Sequence, residues 1–240
     1  MFKDLELIKE YDAPNYENIR QNLRNHELLN YIKITGGAFF RFKNKEQIYD
    51  AIVADELSAV ENLLKYIDEK DEYVFMDLKK DVFVPEESLQ KISKKIKLKL
   101  DCNAYCYLKN DIEAENLENI KPLNISQAEF IFDNYNEKET SSLIEIKEYI
   151  KRGPALGYYQ DEKLLGFVLV HDDGQIGVLQ VLNEYRRQGI AKKLMKAITK
   201  EVLNLRRVPG LEVLIGNEAS ISLVTSIGFE HLGQELWLIF

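Results

Sequence analysis

The segment IGVLQVLNEYRRQGIAKKLMKAITKEVL, residues 176–203, sets an apolar run, a cationic turn and an amphipathic run in that order. IGVLQVL reads as a buried strand. Beyond the turn, Ile190, Leu194, Ala197, Ile198, Val202 and Leu205 recur at helical spacing, which predicts a helix over 188–205. The turn carries Arg186, Arg187 and Gln188, then narrows to Gly189 and Ala191. A strand-to-helix turn needs no cations. The first N–H groups of a helix lack intrahelical acceptors and carry partial positive charge from the helix dipole. Gly189 and Ala191 clear an approach to those amides, and the arginines offer charge-assisted hydrogen bonds. The stretch therefore predicts a cradle for a pyrophosphate.

The chain around it has a regular rhythm. KPLNIS precedes a short helix near 127–135, with Ser126 as its expected N-cap, and a second helix is expected over 140–151, ending before Gly153-Pro154. ALGYYQ and LLGFVLVH are β-rich runs, and Asp173-Gly174 makes the tight turn into IGVLQVL. After Pro209-Gly210 come the strand LEVLIG, the short helix SISLVTSIG and two strand-like runs, FEHLG and ELWLIF.

VLNEYRRQGIAKKLM resembles motif A of the GCN5-related N-acetyltransferase superfamily, whose pattern is Arg/Gln-x-x-Gly-x-Gly/Ala. NEASISLVTSIGF, residues 217–229, resembles the same family's motif B, which begins with Asn and ends in Gly-Phe. The resemblance implies a mixed α/β fold with splayed central strands over residues 112–240, binding acetyl-coenzyme A or another acyl-CoA. It implies that Leu179, Gln180 and Val181 face the pantetheine arm through backbone groups. Arg186, Arg187, Gln188, Gly189, Ile190 and Ala191 would then hold the pyrophosphate, and Asn217 would reach the arm where the strands part. The subfamily features resemble the glycine N-acyltransferase and FR47-like branch.

Two departures bear on catalysis. Where relatives carry a Tyr seven residues after the motif B Asn, this chain has Val224, with Ser220, Ser222 and Thr225 as nearby hydroxyls. Where glycine N-acyltransferases carry a Glu as base, it has Gln175, and an amide takes no proton from an ammonium. Candidate catalytic residues are therefore Glu184 and Asp173 for proton abstraction and Ser222 for the leaving thiolate. Asp173 also reads as a turn residue, Glu184 as a solvated loop carboxylate and His171 as a surface histidine at a strand end. The expected reaction is transfer of an acetyl group to the primary amine of a small molecule or amino acid. The alternative is a CoA-binding sensor that has lost turnover.

Composition bounds the partners. The chain has 240 residues, 45% of them hydrophobic, and a net charge of -8, which argues against a nucleic-acid binder. KKIKLKL, 94–100, alternates like a half-exposed strand. No apolar run approaches the ~20 residues of a membrane span, and MFKDLELIKEYD has no signal-peptide core. Cys102 and Cys106 read as reduced core thiols of a cytoplasmic protein, and no metal-ligand cluster stands out.

The acidic stretch KNDIEAENLENI suggests a boundary that divides the chain into residues 1–111 and 112–240. In the first part helices are expected over 16–31, 56–67 and 86–94, and strands at AFFRF, YDAIVA, YVFMDL and KLDCNAYCYL. AFFRF to YVFMD runs strand, turn, strand, helix, strand, the order of residues 155–216. This resembles a smaller, degenerate copy of the same fold that lacks the glycine-cation turn, having Ala54, Asp55, Glu56 and Leu57 there.

Overall fold

A computed structural model describes residues 2–11, 16–44, 47–68, 73–79, 82–90, 92, 96–114 and 117–240. They form two compact units. The first comprises residues 1–106, 212–218 and 231–240, and the second residues 107–211 and 219–230. The chain first changes unit at 106/107, five residues before the boundary expected at 111, and its C-terminal strand returns to the first unit.

The first unit opens with helices α1 (Phe2–Glu10) and α2 (Glu17–Asn25), followed by an antiparallel meander of β1 (Glu27–Ile34), β2 (Gly37–Asn44) and β3 (Gln47–Ala54). Helix α3 (Leu57–Leu63) crosses over to β4 (Tyr73–Lys79), which pairs in parallel with β3. After the single-turn α4 (Glu86–Leu89) comes β5 (Leu98–Cys106). The helix expected over 16–31 stops at Asn25. ELLNYIKI is β1, because its backbone groups find partners along the whole of β2. The helix expected over 86–94 is formed only over 86–89; residues 91 and 93–95 lie outside the described residues, as do the first two lysines of KKIKLKL.

The seven-stranded sheet runs β1-β2-β3-β4-β11-β5-β10, where β10 is Gly210–Leu214 and β11 is Glu230–Ile239. FEHLG and ELWLIF were expected as two strands. From Glu230 onward they are one, because Gly233 and Gln234 stay in register with Lys79 and Leu78 of β4. Aromatic side chains, among them Phe40, Phe42, Tyr49 and Phe75, fill one face of the sheet, and aliphatic ones around α3 fill the other. Inside it, Asp50 is fully buried and takes two hydrogen bonds from Arg41, at 2.8 and 2.9 Å. Glu235 is also buried, and burial, with Glu212 and Asp77 beside it, pushes its pKa well above the usual carboxylate range.

The second unit is built on a four-stranded sheet of β6 (Ile120–Pro122), β7 (Ala155–Gln160), β8 (Lys163–Val170) and β9 (Ile176–Val181). Helices α5 (Ala128–Asn134) and α6 (Leu143–Arg152) cover one face, packing Ile131, Ile146 and Tyr149 against Phe167, Leu169 and Val178. Ser142 caps α6 in a reciprocal box with Glu145. Ser126 is not the N-cap expected of it: Asn124 takes that role for the 3-10 turn leading into α5, accepting the Ser126 N–H at 3.0 Å. Helix α7 (Ile190–Asn204) covers the other face, burying Leu194, Ile198 and Val202, and packs on β7, β8 and β9. Gly166 permits that approach, since a Cβ there would lie 2.9 Å from the Gln180 carbonyl and 3.3 Å from Leu194. Helix α8 (Glu218–Ile227) ends at Gly228, whose φ of 108° lets its N–H return to the Val224 carbonyl.

Each part of the chain thus runs two helices, a three-stranded meander, a helix and a further strand. The expected order in the first part lacked β1; with it, β1-β2-β3-α3-β4 matches β7-β8-β9-α7-β10 element for element.

Candidate functional site

Strand β9 has one ladder partner, β8, and is the edge of its sheet. Its register slips by one residue between Phe167 and Leu169, so that Val178 and Leu179 share the place opposite Val168. Val178 takes the slack with φ of 50°, a left-handed conformation that a β-branched residue adopts only under constraint. The bulge turns backbone groups of the strand away from the ladder and toward the open edge. Gly177, just before it, was the one sequence signal for this feature.

Past the strand, the chain makes a short 3-10 turn over Asn183–Tyr185 and reverses through Arg187, at φ 60°, and Gly189, at φ 77°. Gly189 is the N-cap of α7, and no side chain caps the helix. The first intrahelical bond is Lys193 N–H to the Gly189 carbonyl at 3.1 Å. The amides of Ile190, Ala191 and Lys192 therefore have no carbonyl of their own helix to meet. A Cβ added to Gly189 would find nothing within 4 Å, so the helix start is open at this glycine. Fifteen residues of helix stand behind it, enough for a full dipole.

The expected cradle cations divide in their roles. Arg186 donates its Nε–H to the Val181 carbonyl at 3.2 Å and so ties the turn to the end of the strand. Arg187 is exposed. Tyr185 anchors the turn from the other side, accepting a hydrogen bond from Lys163 at 2.9 Å, a bond that raises the lysine's pKa. Lys193 sits over the Tyr158 ring, 5.6 Å from its centre. Gln188 is exposed, Ile190 is buried as the first core residue of α7, and Ala191 is half-buried. Leu179 is half-buried, while Gln180 and Val181 are buried, the Gln180 amide donating to the Val181 carbonyl at 3.3 Å.

The residues expected to move protons lie apart. Asp173 accepts the Gln175 N–H at 2.9 Å, which closes the hairpin turn. Glu184 is exposed on the 3-10 turn. Ser222 is exposed on α8, and Val224, two residues on, is buried. Asn217 is exposed in the turn after β10, its N–H bonded to the Leu214 carbonyl at 3.0 Å, and belongs to the first unit.

His171, expected at the surface of a strand end, is half-buried. Its ring packs on Tyr149 of α6, with centroids 4.9 Å apart, and lies directly against Gly177 of β9. Its Nε2 is buried and has no hydrogen-bond partner, and the same holds for Oε1 of the neighbouring Gln175. Five residues separate His171 from Gly177, and only the folded hairpin brings them together.

Comparisons with known proteins agree with this architecture. Residues 155–238, from β7 into the last strand, match the FR47-like protein family. A Drosophila protein of known structure superposes with a TM-score of 0.69 at 16% identity, covering 99% of this chain and 86% of its own. A GCN5-related N-acetyltransferase from Kribbella flavida gives 0.58 at 12% identity, over 94% of this chain and 93% of its own. An acetyltransferase of the GNAT family from Colwellia psychrerythraea gives 0.54 at 15% identity, over 100% and 97%. At these identities the likeness is one of fold. No curated protein matches the chain in sequence.

Proposed function

The chain has the GCN5-related N-acetyltransferase fold, FR47-like over residues 155–238, and from that premise we propose that it is an acyl-coenzyme A-dependent N-acyltransferase. The donor is acetyl-CoA or another acyl-CoA, and the acceptor is the primary amine of a small molecule or amino acid. One observation carries the reading: an uncapped fifteen-residue helix begins at a left-handed glycine with open space above it, directly after a bulged edge strand. The amides of Ile190, Ala191 and Lys192, with Arg187, suit a pyrophosphate. The open edge of β9 at Leu179, Gln180 and Val181 suits an arm that carries its own amides, by strand addition.

When bound, the donor supplies an activated thioester. The protein orients it, and a backbone N–H near Gln180 or Val181 polarises its carbonyl. Holding donor and amine side by side accounts for much of the acceleration. Glu184 and Asp173 are the carboxylates proposed for the acceptor's proton and Ser222 the hydroxyl proposed for the sulfur. We place the protein in the cytoplasm, a reading supported by its two buried cysteines, Cys102 and Cys106, neither of which is in a disulfide; no helix of the described residues is long and apolar enough to cross a membrane. We further propose that residues 1–111 are a degenerate copy of the fold, a reading supported by the matched element order.

A second reading, a CoA-binding sensor without turnover, is favoured by two residues: buried Val224 has no proton to give, and Gln175 takes none. A thiol-release assay with acetyl-CoA and a panel of amino acids, polyamines and arylalkylamines separates the two. Acceptor-dependent release of CoA supports the enzyme. Tight acetyl-CoA binding without release under any amine leaves the sensor.

A further inference from the structure

We infer that strand β1 is an interaction surface whose partner is a second copy of this chain, paired with it antiparallel across a two-fold axis. The inference is independent of the acyltransferase reading and rests on the edge of the first sheet. Four strands end the two sheets: β1, β10, β6 and β9. β6 has three residues, one of them Pro122; β10 has five; β9 has six, with a bulge at its centre. Short length, proline and bulges are means by which proteins keep an edge from pairing. β1 is longer, with eight residues and neither proline nor glycine. Its one bulge lies at Leu29, toward the end far from the hairpin turn, and leaves residues 30–34 regular.

The open side of β1 carries backbone groups that call for partners. Residues 35 and 36 form a two-residue turn between Ile34 and Gly37, which makes those two a hydrogen-bonded pair. Alternation along the ladder then directs the N–H and C=O of Ile32 and Ile34 to β2, and those of Tyr31 and Lys33 outward. Among the described residues no backbone hydrogen bond beyond that ladder reaches β1. Its side chains are those of an interior strand. Leu28 and Tyr31 pack on the aromatic core, Ile32 and Ile34 on the aliphatic one, and all four are half-buried. Leu29 is 43% exposed. Both cores thus run out to the edge and stop there with apolar surface uncovered.

The order of residues along the strand selects the partner. Glu27 stands at one end and Lys33 near the other, both exposed. An antiparallel copy brings Lys33 of each strand toward Glu27 of the other, and sets the leucine end of one against the isoleucine end of the other. A parallel copy would set Glu27 on Glu27. An exposed lysine is itself a common guard of an edge. Here Lys33 is ion-paired with Glu10 of α1, which balances its charge, and its ammonium has further N–H donors for Glu27 of the second copy. A two-fold contact uses the edge once and closes on itself, which gives a dimer and no fibre. Two strands of this length bury a modest area, which places the association among the weak, reversible ones.

Sedimentation of the full chain between about 1 and 100 μM tests the pairing. The wild type should pass from monomer to dimer over that range. Lys33→Pro removes an N–H that points away from β2, so the monomer should keep its ladder and its circular dichroism while the dimer is lost. Should that variant misfold, charge reversal, which leaves the backbone unchanged, decides alone. Glu27→Lys and Lys33→Glu should each weaken dimerisation about 10-fold, and the double exchange should recover most of the loss. Hydrogen exchange reads the register: the amides of Tyr31 and Lys33 should gain protection as concentration rises, while those of Ile32 and Ile34 are protected throughout. A monomer at every concentration would overturn the proposal. So would a dimer that survives Lys33→Pro in folded protein, a double exchange no tighter than either single one, or protection gained at other strands and not at β1.

Discussion

The chain makes the same strand-turn-helix passage twice, and the two differ where it matters. In the first, β3 passes through Ala54, Asp55 and Glu56 into α3, and the N-cap is Glu56. In the second, β9 passes through a cationic turn into α7, and the N-cap is Gly189. Glu56 packs against Gly36 and accepts a hydrogen bond from Ser58 at 2.9 Å, so a carboxylate stands where an anion would dock. Helix α3 has seven residues against fifteen in α7, with a correspondingly smaller dipole effect. The strands differ as well. β3 is paired on both sides, with β2 and with β4, whereas β9 is an edge with a bulge. A shared topology therefore does not bring the same local features with it: the open strand edge and the bare helix start belong to the second passage alone of the two.

The largest effect expected from breaking this comparison is on the closed passage. Arg41→Ala removes the guanidinium that donates two hydrogen bonds to fully buried Asp50 and should cost about 3–5 kcal/mol, read as a drop in unfolding free energy in urea. A loss below about 1 kcal/mol would mean that the pair is no part of what holds the first sheet together. Next, Gly189→Glu converts the second N-cap into the residue found at the first. It should weaken acetyl-CoA binding by at least about 100-fold, near 2.7 kcal/mol, as measured by calorimetry. An unchanged affinity would remove the cradle.

Arg187→Ala should weaken binding by about 10-fold, one charge-assisted bond, with thermal stability unchanged because the side chain is exposed. Arg186→Ala should instead lower both, since that residue ties the turn to Val181. The smallest effect concerns charge stored inside the first sheet, between Glu235, Glu212 and Asp77. The folded state raises the Glu235 pKa and keeps a proton that the unfolded chain releases above about pH 4.3. Stability from this site is then fully present below that pH and declines as pH rises toward the folded value. Glu235→Gln should flatten the decline and raise the melting temperature at neutral pH by about 2–4 °C per kcal/mol recovered. A pH profile parallel to the wild type would place the titrating group elsewhere.

Local features were legible in the sequence; pairings across long separations were not. The strand, turn and helix of residues 176–204 lie within one continuous segment whose periodicity changes at Gly189, and the structure forms them as read. β1 was hidden because Leu28, Leu29, Tyr31 and Ile32 follow helix α2 without a break in apolar spacing, and only its ladder with β2 makes it a strand. The unity of β11 depends on β4, about 160 residues earlier, which holds Gly233 and Gln234 extended. Likewise the Val178 bulge needed its partner β8, and the packing of the His171 ring needed both Tyr149 and the absent side chain of Gly177. The strand, turn and helix start proposed for the donor sit in one motif and could be read. The packing of His171 is assembled from a helix, a hairpin and a strand, and it could not.

The central claim is that one of the two passages, and not the other, holds the donor. Calorimetric titration of acetyl-CoA into the full chain tests it most directly. The account predicts one molecule bound per chain, with the site lost in Gly189→Glu. Two molecules per chain, or one that survives Gly189→Glu, would contradict it.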